Sequence, residues 1–161
     1  MTKQISITAL LTVMTVILFS SQMFIPFLGV VFTIFSTIPI MVVNMLTEKR
    51  YTIMSIIISS LLIVLFNDPF GWILFILILI PSTVSNMIEK KFYSYLLVIP
   101  VLLGNYILYS VIIIDGSNVE LFLKNIWYII GIFMFISLKY SFKKVEVLIR
   151  YKYLNKLKKE I

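Results

Sequence analysis

Of the 161 residues in this chain, 61% are hydrophobic, 15% aromatic and only 13% charged, about half the charged share of a soluble domain. A single soluble core of this length cannot hide so much apolar surface, so lipid is the expected solvent for most of the chain. The formal charge of +7 does not point to nucleic acid, because the cations stand in short loops and a tail rather than on one soluble face.

The expected fold is an all-α integral membrane protein with six transmembrane helices in one bundle. Met1-Thr2-Lys3-Gln4 precedes a long apolar run with no small-x-small cleavage pattern. A signal peptide's apolar region spans about 7–15 residues, so residues 5–23 are read as a retained first span, ended by Pro26. The second span, 27–46, carries Pro39 in its interior. The third, 51–66, barely crosses a hydrocarbon core at about 1.5 Å per residue unless it stands upright or is extended by its flanks. The fourth, 70–88, contains Pro81, and the fifth, 93–114, contains Pro100 and Gly104. The sixth is 121–142. Residues 1–142 thus form the transmembrane domain, and 143–161 a basic tail of helical composition that meets anionic headgroups or docks a partner.

The turns alternate in charge. Thr47-Glu48-Lys49-Arg50 carries two cations, whereas Asn67-Asp68-Pro69-Phe70-Gly71-Trp72 carries none. In a six-span topology Lys3, Lys49, Arg50, Lys90, Lys91, Lys139 and the tail cations all fall on one side. Lys124 falls on the other, with Asp68, Asp115 and Glu120. Short loops rich in Lys and Arg stay in the cytoplasm, which predicts cytoplasmic N- and C-termini and a multi-pass protein of the cell membrane.

Without His or Cys, the usual zinc and haem ligand sets and the Ser-His and Cys-His hydrolases are unavailable. No G-x-x-x-x-G-K-[ST] loop occurs among the five glycines. Ionisable side chains within the spans are confined to Lys124 and Lys139, near the ends of the sixth, whereas proton-coupled carriers need a buried one. No enzymatic activity, cofactor or metal is expected. What remains is a binding subunit, a scaffold, or both.

Polar and aromatic groups gather at the outer ends of the spans. Gln22 ends the first; Asn67, Asp68 and Trp72 mark the third-to-fourth turn. Asn105 and Tyr109 share a face of the fifth span, and Asn125, Trp127 and Tyr128 lie in the outer part of the sixth. In one bundle these nine residues could line an outward pocket, amides and a carboxylate fixing polar atoms and rings covering flat apolar surface. The bland alternatives are an interfacial aromatic belt and an ordinary Asn-Asp-Pro turn. Asn105 sits near mid-depth, where an unpaired amide is costly, so it should meet a ligand or another helix. The prolines and the hydroxyls of Ser55, Ser59, Ser60, Ser82, Thr83 and Ser85 are expected to shape helix packing.

The stretch Phe32-Thr33-Ile34-Phe35-Ser36-Thr37-Ile38-Pro39-Ile40-Met41, followed by a short charged turn, a serine-bearing third span, Pro69-Phe70-Gly71-Trp72 and a basic break at Lys90-Lys91, resembles the substrate-binding S components of energy-coupling-factor transporters. It is also similar to a related uncharacterised bacterial membrane family sharing the proline-bearing second helix. The resemblance covers roughly residues 5–91 and implies a six-helix bundle that captures a vitamin or similar small molecule from outside. Uptake would then be driven by a separate transmembrane coupling protein and ATPases. It further implies that small residues spaced four apart on the first helix touch the coupling protein, here Thr8, Ala9 and Thr12, with Val13 four after Ala9. A second resemblance, to the rod-shape-determining membrane protein D family, rests on length, span number and a Pro-x-Gly turn. It implies a ligand-free scaffold of cell-wall elongation.

Overall fold

A computed structural model describes residues 2–112 and 118–154. Asp115, Lys156, Lys158 and Lys159 lie outside the described residues, as do the side chains of Glu120 and Lys124. The described chain is helical, with no strand among the described residues. Six helices are long and apolar enough to cross a membrane: Lys3–Met23, Phe27–Leu46, Lys49–Phe66, Pro69–Met87, Lys91–Ser110 and Asn125–Lys152. The third starts at Lys49, so the flank supplies the missing turn, and its 18 residues span about 27 Å. The sixth belongs to one continuous helix, Asn118–Ile149, that runs past position 142 into the basic tail.

The packing is that of a multi-pass membrane protein. Hydroxyls line the interior: Thr12, Thr15, Ser55, Ser59, Ser82 and Thr83 are buried, whereas Phe24, Phe27, Leu65 and Phe133 are exposed. Small polar residues let helix backbones approach closely where the surroundings are as apolar as leucine. Most of these hydroxyls bond the carbonyl one turn back, as Thr12 does to Thr8 at 2.7 Å and Ser82 to Ile78 at 2.7 Å. A smaller set crosses between helices: Thr12 and Ser55 exchange a bond of 2.8 Å, and Thr83 donates to Thr37 at 2.8 Å. Two apolar clusters hold the middle, one around Phe19, Ile40, Ile63 and Phe75, the other around Ile78, Val101 and Phe135.

Each interior proline breaks its helix in the turn before it, because it has no N–H and its ring crowds the carbonyl four residues back. Ahead of Pro39 the second helix stops at Phe35 and restarts at Ile38. Before Pro100 the fifth breaks at Leu97. The fourth loosens into a π-helical stretch, Ile73–Leu79, in which the Ile80 N–H reaches the Phe75 carbonyl five residues back.

Cross-helix bonds settle which ends lie together. Thr12–Ser55 and Ser20–Asn67 occur in the same order along the first and third helices, which therefore run parallel. At the other side of the bundle, Ser94 bonds Ser85 and Lys139 bonds Ser94. Lys3, Lys49, Arg50, Lys90, Lys91 and Lys139 consequently share one end, and the Asn67–Trp72 turn lies at the opposite end. The packing therefore brings these six cations to one end, as expected.

Candidate functional site

At the end opposite the lysines, the third-to-fourth turn is held by its own side chains. Asp68 has extended backbone and caps the fourth helix, its Oδ1 accepting from the Gly71 N–H at 2.8 Å. The Trp72 indole donates to the Asn67 carbonyl at 2.7 Å. Asn67 is only 8% exposed, and its Nδ2 donates to Ser20 Oγ at 3.2 Å. The Oδ1 of Asn67 is buried with no hydrogen-bond partner. Nearby, Thr33 donates to Gln22 Oε1 at 3.2 Å, tying the first helix to the second. Gly29 makes that junction possible: a Cβ there would stand 2.3 Å from Gln22 Cα.

The other expected residues gather on the fifth and sixth helices. Asn105 is 2% exposed and faces Gly131, whose missing Cβ would lie 2.7 Å from Asn105 Nδ2. That Nδ2 is buried and makes no hydrogen bond. Trp127 packs edge-on against Tyr106 at 5.3 Å between centroids and against Tyr128 at 6.0 Å. Tyr106 and Tyr128 are both about half exposed, Tyr109 is half-buried and Asn125 exposed. The described hydrogen bonds and ring contacts thus sort the nine residues into two groups. One is built on Gln22, Asn67, Asp68 and Trp72; the other lies on the fifth and sixth helices. The fourth helix packs against both sides, its Phe75 ring edge-on to Phe19 at 5.0 Å and its Ile78 joined to Val101 and Phe135.

Among the described residues, four grooves stand out at the surface of the bundle, and none of these four is walled by any of the nine. A groove of about 310 Å³ between the first and third helices is lined by Thr8, Ala9 and Thr12 together with Tyr51, Met54 and Ile58. Thr8 and Thr12 are buried on the side facing the third helix, and Ala9 is exposed. A second, of about 350 Å³, lies among the second, fourth and sixth helices, walled by Ile34, Leu74, Phe133 and Met134. Another, of about 310 Å³, follows the end of the first helix from Val16 to Ile25. The fourth, of about 540 Å³, lies at the basic end between Asn44, Lys49, Thr52 and Lys90.

Two features were not anticipated from the residues. Tyr106 completes the aromatic group, meeting Trp127 in space from a neighbouring helix although the two stand far apart in sequence. Lys139, expected only as one more cation of the tail side, ties three helices together. Its Nζ donates to Ser94 Oγ at 2.5 Å and lies 3.8 Å from the Tyr95 ring centroid. Asn86 Nδ2 donates to the Lys139 carbonyl at 3.2 Å. The available signal was a lysine inside an otherwise apolar stretch of the sixth span.

Comparison with protein-family models, with curated proteins and with solved structures finds no match to this chain. A multi-pass helical bundle with two buried amides, each keeping an unpaired atom, is what its own residues establish.

Proposed function

We propose that the chain is a substrate-binding membrane subunit, similar to the S components of energy-coupling-factor transporters, that works by binding rather than by catalysis. In this reading it resides in the cell membrane with both termini in the cytoplasm. It captures a small vitamin-like molecule at its outer end for uptake powered by a separate coupling protein and ATPases. The observation that carries the reading is the pair of orphaned amide atoms, an acceptor on Asn67 and a donor on Asn105. A buried polar atom left unpaired costs about 1–3 kcal/mol. An amide serving only to join helices would spend its donor on the neighbouring helix, and the Asn105 Nδ2 does not. Polar atoms of a ligand, or water that a ligand displaces, would satisfy such groups, and Trp127 and Tyr106 offer flat apolar surface on the two helices where Asn105 faces Gly131.

The test is a melting series on the purified full chain against water-soluble vitamins and their precursors. One compound should raise the melting temperature, and Asn105→Leu should abolish that rise while the variant still folds. A flat response across the panel defeats the reading.

The second reading, a ligand-free scaffold of cell-wall elongation, is favoured by the apolar grooves that open sideways between helices. It predicts co-purification with cell-wall synthesis or cytoskeletal proteins, and no thermal response to any small molecule.

A further inference from the structure

The groove of about 540 Å³ lies at the basic end, away from both amide groups, and has a composition unlike the other three. Its mouth carries Lys49 and Lys90 with Asn44, Thr52 and Tyr93; its wall is Ile53, Ile56, Val84, Met87 and Ile88. Among the described residues, the ion pairs join Arg50 to Glu48 and Arg150 to Glu146, so neither groove lysine is neutralised by a carboxylate. Lys90 Nζ is 5.9 Å from the Tyr93 ring centroid, at the rim. Thr52 donates to Asn44 Oδ1 at 3.5 Å, which leaves the Nδ2 of this lining residue for another acceptor. The 18-residue third helix begins at Lys49 and points the positive end of its dipole the same way. One carboxylate, Glu89, also stands on the lining and opposes an anion there.

Two uncompensated ammonium groups with an amide donor match a phosphate. A continuous apolar wall directly beneath them does not suit a fully hydrated anion. It suits a molecule with a phosphate at one end and hydrocarbon at the other. The wall residue Ile53 is itself exposed on a bundle surface rich in leucine, isoleucine and phenylalanine, so an acyl chain in the groove would be continuous with the apolar surface outside it. We propose that this groove binds the phosphate-bearing headgroup of an anionic phospholipid, with Lys49, Lys90 and Asn44 on the phosphate and Ile53, Ile56 and Met87 against the first carbons of an acyl chain. The inference does not rest on small-molecule capture at the other end.

The full chain in detergent micelles is titrated with phosphatidylglycerol or phosphatidylcholine, and retained lipids are counted by native mass spectrometry. Phosphatidylglycerol should be retained preferentially. Lys49→Gln combined with Lys90→Gln should weaken retention by about fivefold for each lysine. Lys143→Gln combined with Lys144→Gln removes the same charge from exposed positions outside the groove and should leave retention within about twofold. Glu89→Gln should tighten it, and this gain decides the matter if the double lysine variant does not fold. Equal losses in the two double variants would mean a diffuse charge effect and overturn the site. Displacement of the lipid by millimolar inorganic phosphate would show that the phosphate alone is the ligand, and would overturn the lipid assignment.

Discussion

Replacing Asn105 by leucine tests the central observation directly. Leucine has nearly the shape of asparagine and sets two methyl groups where the amide oxygen and nitrogen stood. In the native protein the Asn105 Nδ2 is desolvated without a partner, a state that costs about 1–3 kcal/mol. Opposing this relief is crowding: the Gly131 position lies close enough that an added Cβ would be 2.7 Å from Nδ2 and 2.9 Å from Leu102 Cδ2. Slight overpacking of a fitted site costs about 1 kcal/mol at the low end of its range. The net expectation for the ligand-free protein is a gain of about 1 kcal/mol. Reversible unfolding in mixed detergent micelles, followed by tryptophan fluorescence, measures it against the wild type. A loss of more than about 1 kcal/mol would refute the reasoning, because it would mean that the amide is already paid for by a structural bond. The pairing of outcomes is informative: a variant that is more stable empty yet unresponsive to ligand is the signature of a residue kept for binding at the expense of stability.

Three further outcomes follow from the packing. Gly29→Ala should cost about 2–3 kcal/mol in the same unfolding assay, because the new Cβ meets the backbone of Ser21 and Gln22, whereas Gly131→Ala meets only side-chain ends and should cost less. Lys139→Met should destabilise by about 1–2 kcal/mol through loss of the Ser94 bond and the contact with the Tyr95 ring, with Lys139→Arg recovering part of it. A double-mutant cycle on Thr12→Val and Ser55→Ala should return a coupling of about 0.6 kcal/mol, typical of a hydrogen bond between membrane helices; zero coupling would mean that the pair only fills space.

Helix number and order were legible because a backbone in lipid must satisfy its own hydrogen bonds, which leaves runs of apolar residues a single option. The prolines were legible only as residues that shape packing; the helix breaks ahead of Pro39 and Pro100 came from the structure. Asn105 was marked by its cost at depth, and it is indeed buried. The grouping of the outer residues was another matter. Gln22, Asn67, Asp68 and Trp72 belong with one half of the bundle, and Trp127 with Tyr106 on another. Which faces meet depends on how helices are rotated about their axes, and an all-round apolar helix carries little periodic signal of that rotation. The role of Lys139 was hidden likewise, since Ser94 and Tyr95 reach it from 45 and 44 positions away.

By itself the chain of residues determined the six apolar helices and the end at which the lysines gather, because each depends on composition and on neighbours within a turn or two. Only the tertiary structure decided that Asn67 and Asn105 each keep an unpaired atom, that the aromatic group centres on Tyr106 and Trp127, and that two lysines frame a groove at the basic end. Those features are made by side chains from different helices, and their meeting is set by small residues such as Gly29 and Gly131 that let backbones close to contact distance.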